Sequence, residues 1–128
     1  GMTTWTITIH KDAEDDHKVW FDNLGNNEGW INPRTRFYGV VNDEKTSINI
    51  PFGQEAEYKH SNGMPLLLHG LDADLYGHDT GSVDVAINVD GGKVSLDFGK
   101  EYGFWIKLKD TSGANIGVVL PGITAVKN

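Results

Sequence analysis

The stretch SVDVAINVDGGKVSLDF, residues 82–98, constrains the fold more than any other part of the chain. Val83, Val85, Ile87 and Val89 alternate with Ser82, Asp84, Ala86, Asn88 and Asp90. After Asp90-Gly91-Gly92 the alternation resumes with Val94, Leu96 and Phe98. A period of two puts the apolar set on one face of an extended chain. The paired glycines supply the positive φ angles of a tight reversal. The stretch therefore reads as a β-hairpin with one apolar face, and a second layer must cover that face.

The same rhythm recurs along the chain. TTWTITIHK places Trp5, Ile7 and Ile9 opposite Thr4, Thr6, Thr8 and His10. In KVWFD, Val19 and Phe21 oppose Trp20 and Asp22, and RFYGVVN is a further short run. In TSINIPF, Ile48, Ile50 and Phe52 share a face, and Pro51 marks a sheet edge or a strand end. In EYGFWIKLKD, Phe104, Ile106 and Leu108 alternate with Trp105, Lys107 and Lys109, and NIGVVL follows a turn as its hairpin partner. No window keeps a helical apolar period without a Gly or Pro break. The expected fold is an all-β, antiparallel β-sandwich of roughly eight to ten short strands, with a closed barrel as the related architecture. One domain is expected over residues 2–128, with Gly1 read as a tag remnant before a start methionine.

Composition narrows the partners. Eleven basic residues against eighteen acidic ones give a formal charge of −7. That balance opposes non-specific nucleic-acid binding and charge-driven adsorption to anionic lipid. Neutral lipids and sugars stay acceptable. The absence of cysteine excludes disulfides, thiolate zinc sites and cysteine nucleophiles. No run has transmembrane length and no secretory signal is visible, so a soluble protein of undetermined compartment, with at most peripheral membrane contact, is expected.

Three groups of residues are candidates for function. The first is aromatic and out of phase with the apolar faces: Trp20 and Trp105, then Trp30, Tyr38, Tyr76 and Tyr102. An outward indole suits stacking on a sugar or seating at a lipid interface. A loop folded over each ring is the ordinary alternative. The long DNLGNNEGWINP segment suits a lid or a binding loop. The second group is HGLDADLYGHDTG, where Asp72, Asp74, His78 and Asp79, with His69 and Asn62 nearby, suggest oxygen ligands for Ca²⁺. A solvated turn is the plainer reading. The His pair could also serve Zn²⁺, but no third ligand is evident. The third is KDAEDDHK, an acidic segment between strands that reads as a charged hairpin loop. No cofactor is expected beyond that Ca²⁺. Catalytic constellations are weak, and paired carboxylates such as Asp84 and Asp97, facing each other across the glycine turn, are what glycoside chemistry would use.

The order of TWTITIH, DDHKVWFDNLGNNEGW, EKTSINI and FWIKLKDTSGANIGVV resembles the aegerolysins, small acidic β-sandwich proteins. The resemblance spans most of the chain in order and length, without a specific motif. It implies membrane-lipid recognition, sometimes with a pore-forming partner, and marks Trp5, Trp20, Trp30 and Trp105 as aromatic positions. The cysteines and the Trp-rich central segment common in that family are missing, INVDGGKVSLDF standing there instead.

The leading expectation is a non-catalytic binding module that recognises a neutral lipid headgroup or a carbohydrate through exposed aromatics (Trp20, Trp30, Trp105, Tyr76 and Tyr102). A self-assembling protein that buries the aromatics in a homo-oligomer is the second expectation. A glycan-active hydrolase with paired carboxylates is the third.

Overall fold

The structure is a computed structural model that describes residues 4–25, 36–59, 65–109 and 115–127. Within them, twelve strands follow in chain order: β1 Thr8–Lys11, β2 Lys18–Asp22, β3 Arg36–Val41, β4 Ser47–Pro51, β5 Glu55–Lys59, β6 Pro65–Asp72, β7 Gly77–His78, β8 Ser82–Asp90, β9 Lys93–Asp97, β10 Tyr102–Leu108, β11 Asn115–Val119 and β12 Thr124–Val126. The described residues contain no helix. The fold is all-β and sandwich-like, as the alternation requires. The count exceeds the expected one because β7 and β12 hold two and three residues, too few to show a period.

Seven strands form one curled sheet in the order β1-β2-β3-β4-β8-β9-β12. A second sheet runs β11-β10-β6-β5, with β7 paired to β6. The register is antiparallel throughout, including Asp90 opposite Lys93 at the tip of the β8–β9 hairpin. Gly91 and Gly92 have φ of 58° and 81°, the double positive φ that a two-residue hairpin turn demands. Pro51 ends β4, a central strand, so it marks a strand end and not a sheet edge.

The two sheets close on one core. Phe21, Phe37, Ile50 and Val85 come from the seven-stranded sheet, and Leu66, Leu68, Phe104 and Ile106 from the other; all are essentially buried. Phe98, just beyond β9, meets Phe104 edge to face at 5.9 Å and ties the layers together. The expected inward sets of β2, β4 and β10 are therefore the core. On β8 the alternation outruns the core: Val83 and Val85 are buried, whereas Val89 at the hairpin tip is 68% exposed.

Candidate functional site

Trp20 lies on the outer face of the seven-stranded sheet, opposite Tyr38 of β3. Both side chains point outward because Val19 and Phe21 take the inward positions. The two rings meet edge to face at 5.9 Å. By register, Lys18 and Arg36 flank this pair from opposite ends. The Lys18 ammonium lies 4.6 Å from the Trp20 ring and 4.7 Å from that of Tyr38, and the Arg36 guanidinium lies 4.3 Å from Trp20. The indole N–H donates to Asp12 Oδ1 at 2.8 Å. That bond, with backbone N–H groups of Glu14 and Asp15, holds the Asp12 carboxyl below the ordinary 3.8. Through Asp12, the acidic KDAEDDHK turn orients Trp20.

Trp105 occupies the outer face of the five-stranded sheet, opposite His69 of β6. The two rings meet edge to face at 5.7 Å, and the Lys107 ammonium sits 4.7 Å from the indole. Beside β6 runs β7. A methyl group on Gly77 would come within 2.5 Å of the indole, so the bare glycine backbone lies directly on the ring. Leu71 points outward too, yet it is buried where Gly77 pairs with it. Partial burial and the Lys107 charge push the His69 imidazole below 6.5, and Asp79 opposes that shift.

The segment expected to hold a metal builds this backbone seat for the indole. Asp72 Oδ1 accepts from the N–H groups of Asp74 and Tyr76 at 2.9 and 3.0 Å, which forms an Asx-type turn. Asp72 Oδ2 pairs with His78 Nε2 at 2.7 Å. These bonds, His78 first, lower the Asp72 carboxyl from its usual 3.8. Of the suggested ligands, Asp72 and His78 meet, while Asp74 and Asp79 are exposed and outside that pair. Among the described residues no group of three or more acidic or histidine side chains is placed to hold a metal ion.

The remaining candidates divide. Tyr76 is 70% exposed at the tip of the turn. Tyr102 is a correction: it is in phase with Phe104, not with Trp105, and packs against the core. Its ring lies between Phe52 and His78, at 5.2 and 5.3 Å. Trp5 is anchored by an indole bond to the Asn23 carbonyl at 3.0 Å. Trp30, the rest of its loop beyond Gly25, and Asn62 lie outside the described residues. Asp84 and Asp97 are not opposed: Asp97 faces Ala86, and Asp84 faces Asn49, whose amide it accepts at 2.9 Å. Both acids are exposed on the outer face of the sheet.

One cavity lies outside the reach of strand-by-strand reading. The seven-stranded sheet curls, and its two edge strands, β1 and β12, approach across an apolar cleft of about 440 Å³. Ile7, Ile9 and Phe21 contribute from the β1 side, and Val94, Leu96 and Phe98 from β9 and its end. Ala125, Val126 and Lys127 complete the lining. At its rim, Ile9, which shares the inward face with Phe21, is 43% exposed. The contributing segments are separated by most of the chain, so no local pattern announces the cleft.

No family model, no curated protein and no solved structure matches this chain.

Proposed function

We propose that the chain is a non-catalytic binding module for a lipid, whose apolar body lies in the cleft between β1 and β12. The supporting observation is the cleft itself. Its volume of about 440 Å³ and its predominantly apolar lining fall within the usual range of small-molecule sites. Ile9, exposed at its rim, loses contact with water when a ligand enters. The lipid preference agrees with what the aegerolysin resemblance implies. The aromatic positions carry less of the reading. Lys18 and Arg36 lie against Trp20, and Gly77 and Lys107 lie against Trp105. A sugar ring would have to displace these groups before it could stack.

Calorimetric titration with single-chain lipids, beside a glycan array, tests this reading. Ala125→Phe, which fills the cleft, should weaken lipid binding about tenfold or more, a loss of about 1.4 kcal/mol. Ile9→Glu at the exposed rim should weaken it too, and Trp20→Ala should leave it unchanged. Lipid binding by folded Ala125→Phe and Ile9→Glu proteins at wild-type strength would remove the proposal. So would binding to glycans that depends on Trp20 with none to lipids.

A second reading, self-assembly, draws on edge strand β11. There Val118 is 52% exposed, and Leu120 just beyond it 60%. Among the described residues β11 pairs with β10 alone, and sheet edges with apolar side chains favour association. A monomer by light scattering at high concentration would exclude it.

A further inference from the structure

We infer that the cleft selects a single-chain amphiphile with an anionic head, and that Lys127 is the residue that selects it. The inference rests on the reading of the cleft as a lipid site and adds the chemistry of the head group. Acidic residues outnumber basic ones by eighteen to eleven in this chain, yet among the described residues the cleft lining contains no carboxylate and one charged residue, Lys127. The charge of that lining is therefore opposite in sign to that of the whole molecule.

Lys127 is held in place by its backbone. Its N–H donates to the Val94 carbonyl at 3.0 Å, which extends the β9–β12 pairing by one residue and fixes the base of the side chain beside the cleft. A lysine in such a position lays its methylene stem along apolar surface and keeps the ammonium in water at the mouth. An amphiphile that buries its chain in the cleft leaves its head at the same mouth. A carboxylate or phosphate monoester there meets a cation next to a low-dielectric wall. A neutral head gains nothing from the charge, and a cationic head is repelled.

The net charge of −7 does not contradict this. At physiological ionic strength charges more than about 8 Å apart are largely screened. An anionic bilayer would meet the whole acidic surface, whereas one bound molecule meets chiefly the group at the cleft. A volume of about 440 Å³ is near the lower end for ligand sites and favours one chain over two.

The test is calorimetry on the intact chain with four probes of equal chain length below their micelle concentrations: dodecanoate, dodecyl phosphate, dodecanol and dodecyltrimethylammonium. The wild-type protein should bind at least one of the anions roughly fivefold tighter than the alcohol, the scale of one favourable exposed ion pair. It should bind the ammonium probe weakest. Lys127→Met should bring the anions level with the alcohol, and Lys127→Glu should invert the order in favour of the ammonium. The two anions separate a free fatty acid from a phosphate head, and tighter binding of either supports the inference. Equal binding of anions and alcohol, or an order unchanged in Lys127→Glu, would overturn the head-group inference and leave the cleft reading standing. No binding of any probe would overturn the cleft reading itself.

Discussion

Trp20 and Trp105 arise from the same sequence pattern, a tryptophan on the polar side of a strand, and the structure covers them in different ways. Trp105 lies against backbone: its indole packs over Gly77 of β7, the strand paired beside β6. Trp20 lies among side chains: Lys18 and Arg36 flank it, and Asp12 holds its N–H. A backbone seat cannot leave without unpairing β7 from β6. A side-chain cover can swing away at the cost of weak cation–π contacts. The Trp105 patch is therefore part of the scaffold, and the Trp20 patch is a surface that can be rearranged.

The largest effect expected from this contrast is at Gly77. A side chain there must enter space that the indole fills, and overpacking of this kind costs about 2–3 kcal/mol. Gly77→Val should lower stability by that amount in urea unfolding and shift Trp105 emission to the red. If Gly77→Val unfolds like the wild type, the indole is not seated on β7 and the two patches are alike.

Removal of the rings gives the next effects. Trp105→Ala should cost about 2 kcal/mol, less than truncation of a fully buried aromatic, because Trp105 is only half-buried. Trp20→Ala should cost about 1 kcal/mol, since its partners are half-buried cations, a neighbouring ring and one carboxylate. Equal losses at the two positions would remove the distinction between scaffold and surface.

Much of this arrangement is legible in the sequence, and the limits are instructive. Alternation assigns the inward faces of β2, β4, β8 and β10 because each strand carries its own period and the core rewards one phase. It fails at Val89, where the hairpin projects past the opposite sheet and an apolar side chain has nothing to pack against. It holds at Tyr102, which follows the parity of Phe104 and closes the end of the core beside Phe52; grouping Tyr102 with the outward aromatics departs from the period. The turn after Asp72 resembles a metal site in sequence because aspartate and histidine serve metals and Asx turns alike. Only the register, with Gly77 opposite Leu71, shows that this turn exists to place β7. The cleft is illegible for a topological reason. It is bounded by the first and last strands of one sheet, and nothing local records that a sheet curls until its edges approach.

Acid titration separates the two patches with the smallest effect. On the Trp105 side, His69 has a folded value below 6.5, so folding favours the neutral imidazole. Its contribution is fully present above pH 6.5 and is lost as the pH falls through the depressed value. The cause is partial burial first and Lys107 second, with Asp79 acting against them. Asp72 adds a lower step: its carboxyl is held below 3.8, so its contribution persists above that pH and disappears as the pH falls through the folded value. On the Trp20 side the corresponding acid is Asp12, also held below 3.8, and bonded to the indole itself. The indole N–H resonance of Trp105 should therefore begin to move below about pH 6.5. That of Trp20 should respond to Asp12 only in the acid limb below 3.8. His69→Gln should abolish the upper step at Trp105, and Asp12→Asn should abolish the lower one at Trp20. A step at Trp105 below pH 6.5 that survives His69→Gln would mean that His69 does not govern that patch.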